Sequence, residues 1–205
     1  MPQNVTYLKE TPSQTAGPYV HIGLAPGAAG FATYENELGW DIAGPNAEGE
    51  RIRVEGLVID GTGSPIKDVM LEAWQANSAG NYAHPEGGAV EDGFKGWGRV
   101  ITDFETGEWA FETVKPGQVM GREGAQMAPH INLWIVARGI NVGLNTRMYF
   151  DDEHIANAAD PVINLIEWEN RRATLIAKRS ERDGQIVYRF DICIQGEGET
   201  VFFDV

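Results

Sequence analysis

A single cysteine, Cys193, among 205 residues excludes an intrachain disulfide and a thiolate metal cluster, and leaves a packed thiol as the simplest reading. Basic residues are also scarce. Sixteen Lys and Arg stand against 30 Asp and Glu, a net charge of −14, so nucleic acid and anionic membrane surfaces would be repelled. No apolar run approaches the roughly 18 residues of a membrane span. The first twenty residues include Asn4, Lys9, Glu10, Ser13 and Gln14 and lack the apolar stretch of a signal peptide, so a soluble cytoplasmic protein is expected. The sequence holds no HExxH, no GxSxG, no Walker loop and no strand–GxGxxG–helix, which removes the common zinc-protease, hydrolase, nucleotide and dinucleotide readings. His21, His84, His130 and His154 show no zinc-site spacing.

What is present is turn-rich. Twenty-five Gly and 10 Pro favour short strands over long helices. Residues 1–50 read as an irregular arm, broken at Thr11-Pro12-Ser13, Gly17-Pro18, Pro26-Gly27 and Gly44-Pro45. The arm also carries Tyr19, Val20, Ile22, Leu24, Phe31, Tyr34, Leu38 and Trp40, apolar surface that needs a cover and points to packing on a partner. Residues 51–205 read as a mainly β domain, an antiparallel β-sandwich of about eight strands. The strands expected are Arg51 to Asp60, Val69 to Trp74, Val100 to Phe104, Trp109 to Val114, Ile131 to Ala137, Thr146 to Phe150, Ile186 to Ile194 and Thr200 to Val205. One short helix is expected from Asp151 or Asp152 through Ala158, ended by Asp160-Pro161, with a further turn over Val162 to Ile166.

The stretch from Pro129 to Arg138 is the most informative. On an unbulged strand His130, Asn132, Trp134, Val136 and Arg138 share one face, and Ile131, Leu133, Ile135 and Ala137 the other. A polar row on a largely buried strand has to be satisfied, so this face borders a pocket or an interface; a hydrogen-bonded structural histidine and a surface arginine is the plainer alternative. His130 and Arg138 stand roughly 26 Å apart at ~3.3 Å per residue, too far for one small-molecule site.

Glu72-Ala73-Trp74-Gln75-Ala76, Gly80-Asn81-Tyr82, Gly96-Trp97-Gly98-Arg99, Val114-Lys115-Pro116-Gly117, Ala128-Pro129-His130-Ile131, Arg138-Gly139-Ile140-Asn141 and Thr146-Arg147-Met148-Tyr149-Phe150 resemble the intradiol ring-cleaving dioxygenases. Thr11-Pro12-Ser13-Gln14-Thr15-Ala16-Gly17-Pro18-Tyr19 and the C-terminal segment are similar to the alpha-type subunits of heteromeric members. Catalytic members hold a non-haem Fe(III) with two tyrosines and two histidines. The resemblance places Tyr82 and His130 at two of these positions, with Val119 and Asn132 at the other two. It therefore implies a vestigial metal site, no metal and no catalytic residue in this chain, and Fe(III) held by a homologous, iron-bearing beta subunit. It further implies a large alpha–beta hetero-oligomer that cleaves protocatechuate with O2 between its hydroxyls, giving 3-carboxy-cis,cis-muconate in the beta-ketoadipate pathway. Thr15, Gly17, Pro18, Tyr19 and Arg138 are then expected to line the beta subunit's substrate pocket. The competing readings are a stand-alone transthyretin-like binding module and a self-sufficient dioxygenase with another ligand set.

Overall fold

The computed structural model describes residues 15–35, 37, 42–121, 124–141 and 143–204. Thr11–Gln14, Leu38 and Trp40 of the expected arm lie outside the described residues.

The alternation of apolar residues seen in the sequence builds the first long strand, β1 (Arg51–Ile59), with Ile52, Val54 and Val58 turned inward. Then come β2 (Met70–Gln75), β3 (Trp97–Ile101), β4 (Glu108–Val114) and a two-residue hairpin, β5 (Val119–Met120) with β6 (Gln126–Met127). β7 (His130–Val136) and β8 (Leu144–Phe150) follow, then α2 (His154–Ala159), α3 (Glu169–Arg172), β9 (Ile176–Arg182), β10 (Gln185–Arg189) and β11 (Ile192–Cys193). A seven-residue helix, α1 (Pro18–Leu24), precedes them all.

β4 lies antiparallel to β1, and β1 pairs in parallel with β10 and then β11. β10 joins β9 antiparallel, and β9 joins β8 in parallel. β8, β7, β2 and β3 complete the path in antiparallel steps. β3 comes back against β4, so the sheet curls almost closed around one core. The mainly β expectation holds, and the sheet is mixed rather than purely antiparallel. Gly56 shows why its position on β1 has no side chain: a Cβ there would run into the Phe190 carbonyl where β1 passes from β10 to β11.

Several boundaries differ from the sequence reading. The expected strand Ile186 to Ile194 breaks in two, because Asp191 turns its carboxylate to the Leu57 amide at 2.9 Å instead of continuing the ladder. Thr200 to Val205 contributes a single bridge, Phe203 to Asn145. β3 begins at Trp97, earlier than expected, since Gly98 pairs with Ala73 despite its low strand propensity. β9 was not anticipated because its sequence, Ile-Ala-Lys-Arg-Ser-Glu-Arg, is mostly exposed and lacks an apolar alternation. Part of the arm, expected to be irregular, is α1, which starts with Pro18 at its first position, where the missing N–H costs nothing. Cys193 is partly exposed. No helix among the described residues is long and apolar enough to cross a membrane.

A second, smaller core of Ala128, Tyr149, Ile163 and Leu175 packs the segment after β8 against the entry to β7. Asp160 sits at its centre, fully buried. Its carboxylate accepts from the Ala128, Val162 and Ile163 amides at 2.8 Å each and from the Tyr149 hydroxyl at 3.2 Å.

Candidate functional site

β7 carries two candidate sites, one at each end. At its start the register sets His130 opposite Tyr149, and Asn132 between Trp74 and Arg147. The chain leaving β2 returns to bring Tyr82 over this point, with its ring edge against Trp74 at 5.8 Å between centroids.

The hydrogen bonds there form one chain whose direction follows from its ends. His130 Nδ1 meets the Ala128 carbonyl at 2.7 Å. A carbonyl only accepts, so Nδ1 carries the proton and Nε2 a lone pair. Nε2 therefore accepts from the Tyr82 hydroxyl at 3.2 Å. Asn132 turns its Nδ2 to the Trp74 carbonyl at 3.3 Å, which fixes the amide orientation. The same Nδ2 donates to Tyr82 Oη at 3.2 Å. His130, only 1% exposed, is pushed down from its ordinary 6.5 to about 4, by burial first and by the Arg147 charge second, with the Ala128 carbonyl opposing. Burial raises the Tyr82 phenol, against the Asn132 hydrogen bond. Both groups are thus held neutral.

These residues do not fit a resident Fe(III). That hard cation needs anionic oxygen and imidazole donors around it. Asn132 offers an N–H where a lone pair is needed. Val119, buried on β5 opposite Met127, has no donor atom and takes no part in the network. Tyr82 Oη and His130 Nε2 are bonded to each other. Among the described residues no group of three or more His, Cys, Asp or Glu could hold a metal ion.

The other end of β7 gathers the second set. Thr15 Oγ1 donates to the Ala137 carbonyl at 3.5 Å and accepts from the Gly139 amide at 2.8 Å, so it spans Arg138. Arg138 Nε donates to Asp68, and its side chain is 65% exposed. Buried His21 of α1 bonds the Asp68 carbonyl through Nε2 at 2.9 Å, and Arg99 reaches the Leu24 carbonyl at 2.9 Å while holding Glu72 at 2.6 Å. These ties fasten the arm across the ends of β2 and β3. Gly17 is the N-cap of α1, Pro18 its first residue, and Tyr19 stands 83% exposed. Thr15, Gly17, Pro18, Tyr19 and Arg138 therefore lie along one edge, apart from Tyr82, His130 and Asn132.

Sequence reasoning placed Asp160 only at the end of a short helix, without its hydrogen-bonding role, and gave His21 no role. Both are positioning residues here. One holds the segment that orients His130; the other pins the arm beside Arg138.

A family model described as Dioxygenase matches residues 28–196. The chain is 56% identical over 200 residues to the protocatechuate 3,4-dioxygenase alpha chain of Pseudomonas putida, covering 98% of each. It is 34% identical over 161 residues to the protocatechuate 3,4-dioxygenase beta chain of Burkholderia cepacia, covering 74% of this chain and 67% of that one. Among solved structures, 3-chlorocatechol 1,2-dioxygenase from Rhodococcus opacus 1CP has the same fold, with a TM-score of 0.56 at 21% identity over 74% of this chain and 62% of that one.

Proposed function

The chain is a member of the intradiol ring-cleaving dioxygenase family, and from that premise we propose that it serves as the non-catalytic alpha-type subunit of a heteromeric protocatechuate 3,4-dioxygenase. The observation that carries this reading is the closed hydrogen-bond chain from Asn132 through Tyr82 to His130, which occupies the atoms a metal would need. In this reading Fe(III) belongs to a homologous beta subunit. Ring opening of protocatechuate with O2 to 3-carboxy-cis,cis-muconate, within the beta-ketoadipate pathway, takes place in that subunit's pocket. The arm, residues 1–50, is the part that packs on the partner; Tyr19 at 83%, Phe31 at 51% and Tyr34 at 64% exposure are apolar surface that a second chain would cover.

This chain's contribution to the pocket is the Thr15–Tyr19 edge and Arg138. Protocatechuate is a carboxylate, and a chain of net charge −14 repels it. An exposed guanidinium at the pocket mouth reverses the field locally and can pair with the substrate through its two terminal nitrogens. The bond to Asp68 is made through Nε, not through those nitrogens.

Two expectations follow for the assembled enzyme. Arg138→Ala raises KM for protocatechuate about tenfold, the equivalent of one charge-assisted contact of about 1.4 kcal/mol. It leaves iron content unchanged and, because the Arg138 end of the Asp68 pair is solvent-exposed, shifts stability by about 1 kcal/mol. Steady-state oxygen uptake with metal analysis checks this; an unchanged KM removes Arg138 from the pocket. Purified alone, the chain is expected to show no oxygen uptake with protocatechuate, whereas co-expression with a beta chain yields a large active oligomer. Turnover by the isolated chain, or a stable monomer that ignores the beta chain, would contradict the reading.

A further inference from the structure

Strand register brings Asp68 to Arg138. β2 and β7 run antiparallel with Met70 opposite Val136. Continuing that ladder past the strand ends, from Met70 back to Asp68 and from Val136 on to Arg138, sets these two residues across from each other. Each is held separately. Val69 is buried, its amide donating to Thr102 Oγ1 at 2.9 Å and its carbonyl accepting from the Thr102 amide at 3.0 Å, so the backbone beside Asp68 is fixed. Arg138 stands at the corner of a tight turn. The Ile140 amide returns to the Ala137 carbonyl at 3.3 Å, and Gly139 takes a φ of +83°, as the third position of a type II turn requires. Thr15 braces this turn on both sides of Arg138.

Asp68 therefore serves two elements through two different groups. Its backbone carbonyl accepts from His21 Nε2 at 2.9 Å and holds α1. Its carboxylate accepts from Arg138 Nε and not from the two terminal nitrogens. The Asp68 side chain is 16% exposed and the Arg138 side chain 65%, so the sheltered partner fixes the free one.

We infer that Asp68 is a positioning residue for substrate binding: by holding Arg138 at Nε it presents the terminal N–H donors as a ready fork for the substrate's carboxylate. The inference rests on the proposed placement of Arg138 at the pocket mouth. A guanidinium carries five donors in one plane, so one carboxylate on Nε and a second on the terminal nitrogens are served at once. A loose arginine loses its rotamer freedom each time substrate binds, whereas one fastened beforehand has already lost it. The Asp68 charge works the other way, by repelling an anionic substrate. Beside so exposed a side chain that repulsion is screened by water and salt, and the fastening outweighs it. Asp68 thus acts on binding of the carboxylate and not on ring opening.

The test is steady-state oxygen uptake by the assembled alpha–beta complex, with catechol, the same ring without its carboxylate, as a competitor. Asp68→Ala removes the carboxylate but keeps the backbone carbonyl that holds His21, so it cuts one tie and spares the other. It is expected to raise KM for protocatechuate about threefold, with kcat within about twofold of the parent complex and the inhibition constant of catechol unchanged. Asp68→Asn, which keeps an acceptor oxygen, is expected to recover most of the loss. In an Arg138→Ala background Asp68→Ala is expected to add nothing, because the two residues act as one unit. An unchanged or lowered KM in Asp68→Ala, a parallel weakening of catechol, or an equal rise in the Arg138→Ala background would each overturn the inference. If Asp68→Ala fails to assemble, Arg138→Lys decides. Its single ammonium has no second edge to offer, so it is expected to keep most of the KM rise of Arg138→Ala, and a parental KM would overturn the inference. A rise in Arg138→Ala with none in Asp68→Ala strikes this inference alone; no rise in Arg138→Ala strikes the pocket placement with it.

Discussion

Lowering the pH from 7 to 4.5 is expected to remove roughly 2–3 kcal/mol of stability through His130. The imidazole is buried and neutral, with Nδ1 bonded to the Ala128 carbonyl and Nε2 accepting from Tyr82. Its folded value of about 4 lies below the ordinary 6.5. In the unfolded chain the ring takes up a proton as the pH falls below 6.5; in the folded chain it resists until about 4. Proton uptake by the unfolded state therefore drains stability across that window, and the contribution is whole above it. The carboxylates that the fold holds low act at lower pH. Glu55, bonded to Arg182 and Arg53, falls to about 2; burial raises Asp152, but its bonds to Lys115 and Tyr188 and the Lys115 charge together outweigh it and hold the carboxyl low. Their contributions are present above the ordinary carboxylate range and fade as the pH falls through their folded values. Urea unfolding at half-unit steps from pH 7.5 to 4 checks the prediction. The chain is expected to show a clear slope between pH 6.5 and 4.5, and His130→Gln a much flatter one. Parallel curves for the two would place the titration elsewhere.

A larger loss is expected from Asp160→Ala, about 3–5 kcal/mol. The carboxylate is fully buried and accepts four hydrogen bonds, from the Ala128, Val162 and Ile163 amides and from the Tyr149 hydroxyl. Alanine leaves those donors in a dry core without an acceptor. The damage reaches the site, because the Ala128 peptide that Asp160 holds by its amide also orients His130 by its carbonyl. Thermal unfolding checks the size of the loss, and the pH slope checks its route. In Asp160→Ala the titration between pH 6.5 and 4.5 is expected to steepen, because the Asp160 charge raises the imidazole and its loss leaves the effect of burial less opposed. A variant with wild-type stability would mean that water replaces the carboxylate, and the positioning role would be lost with it.

Strands with a buried face were legible in the sequence because alternation is a local signal. Ile131, Leu133, Ile135 and Ala137 are all buried as their spacing required. β9 was not legible, since its pairing with β10 and β8 comes from neighbours in space and not from its own polar sequence. Parallel pairing of β1 with β10 and β11 joins residues far apart in the chain and leaves no local mark. At the site, the motifs around Tyr82, His130 and Asn132 led to groups that the fold does join, because β2 and β7 are neighbours in register. The separation of His130 from Arg138 followed from strand rise alone. The meeting of Thr15 with Arg138 rested on the family resemblance, since a contact across 122 residues has no sequence signal of its own. Asp160 was legible only as the end of a short helix, because its importance lies in which atoms surround it.

The central claim is that this chain contributes structure and pocket edge, and no metal, to a two-chain dioxygenase. Iron analysis of the purified alpha–beta complex, set against quantified protein, tests it most directly. The account predicts one iron for each alpha–beta pair and none in this chain by itself. Two irons per pair, or a stoichiometric iron in this chain alone, would contradict it.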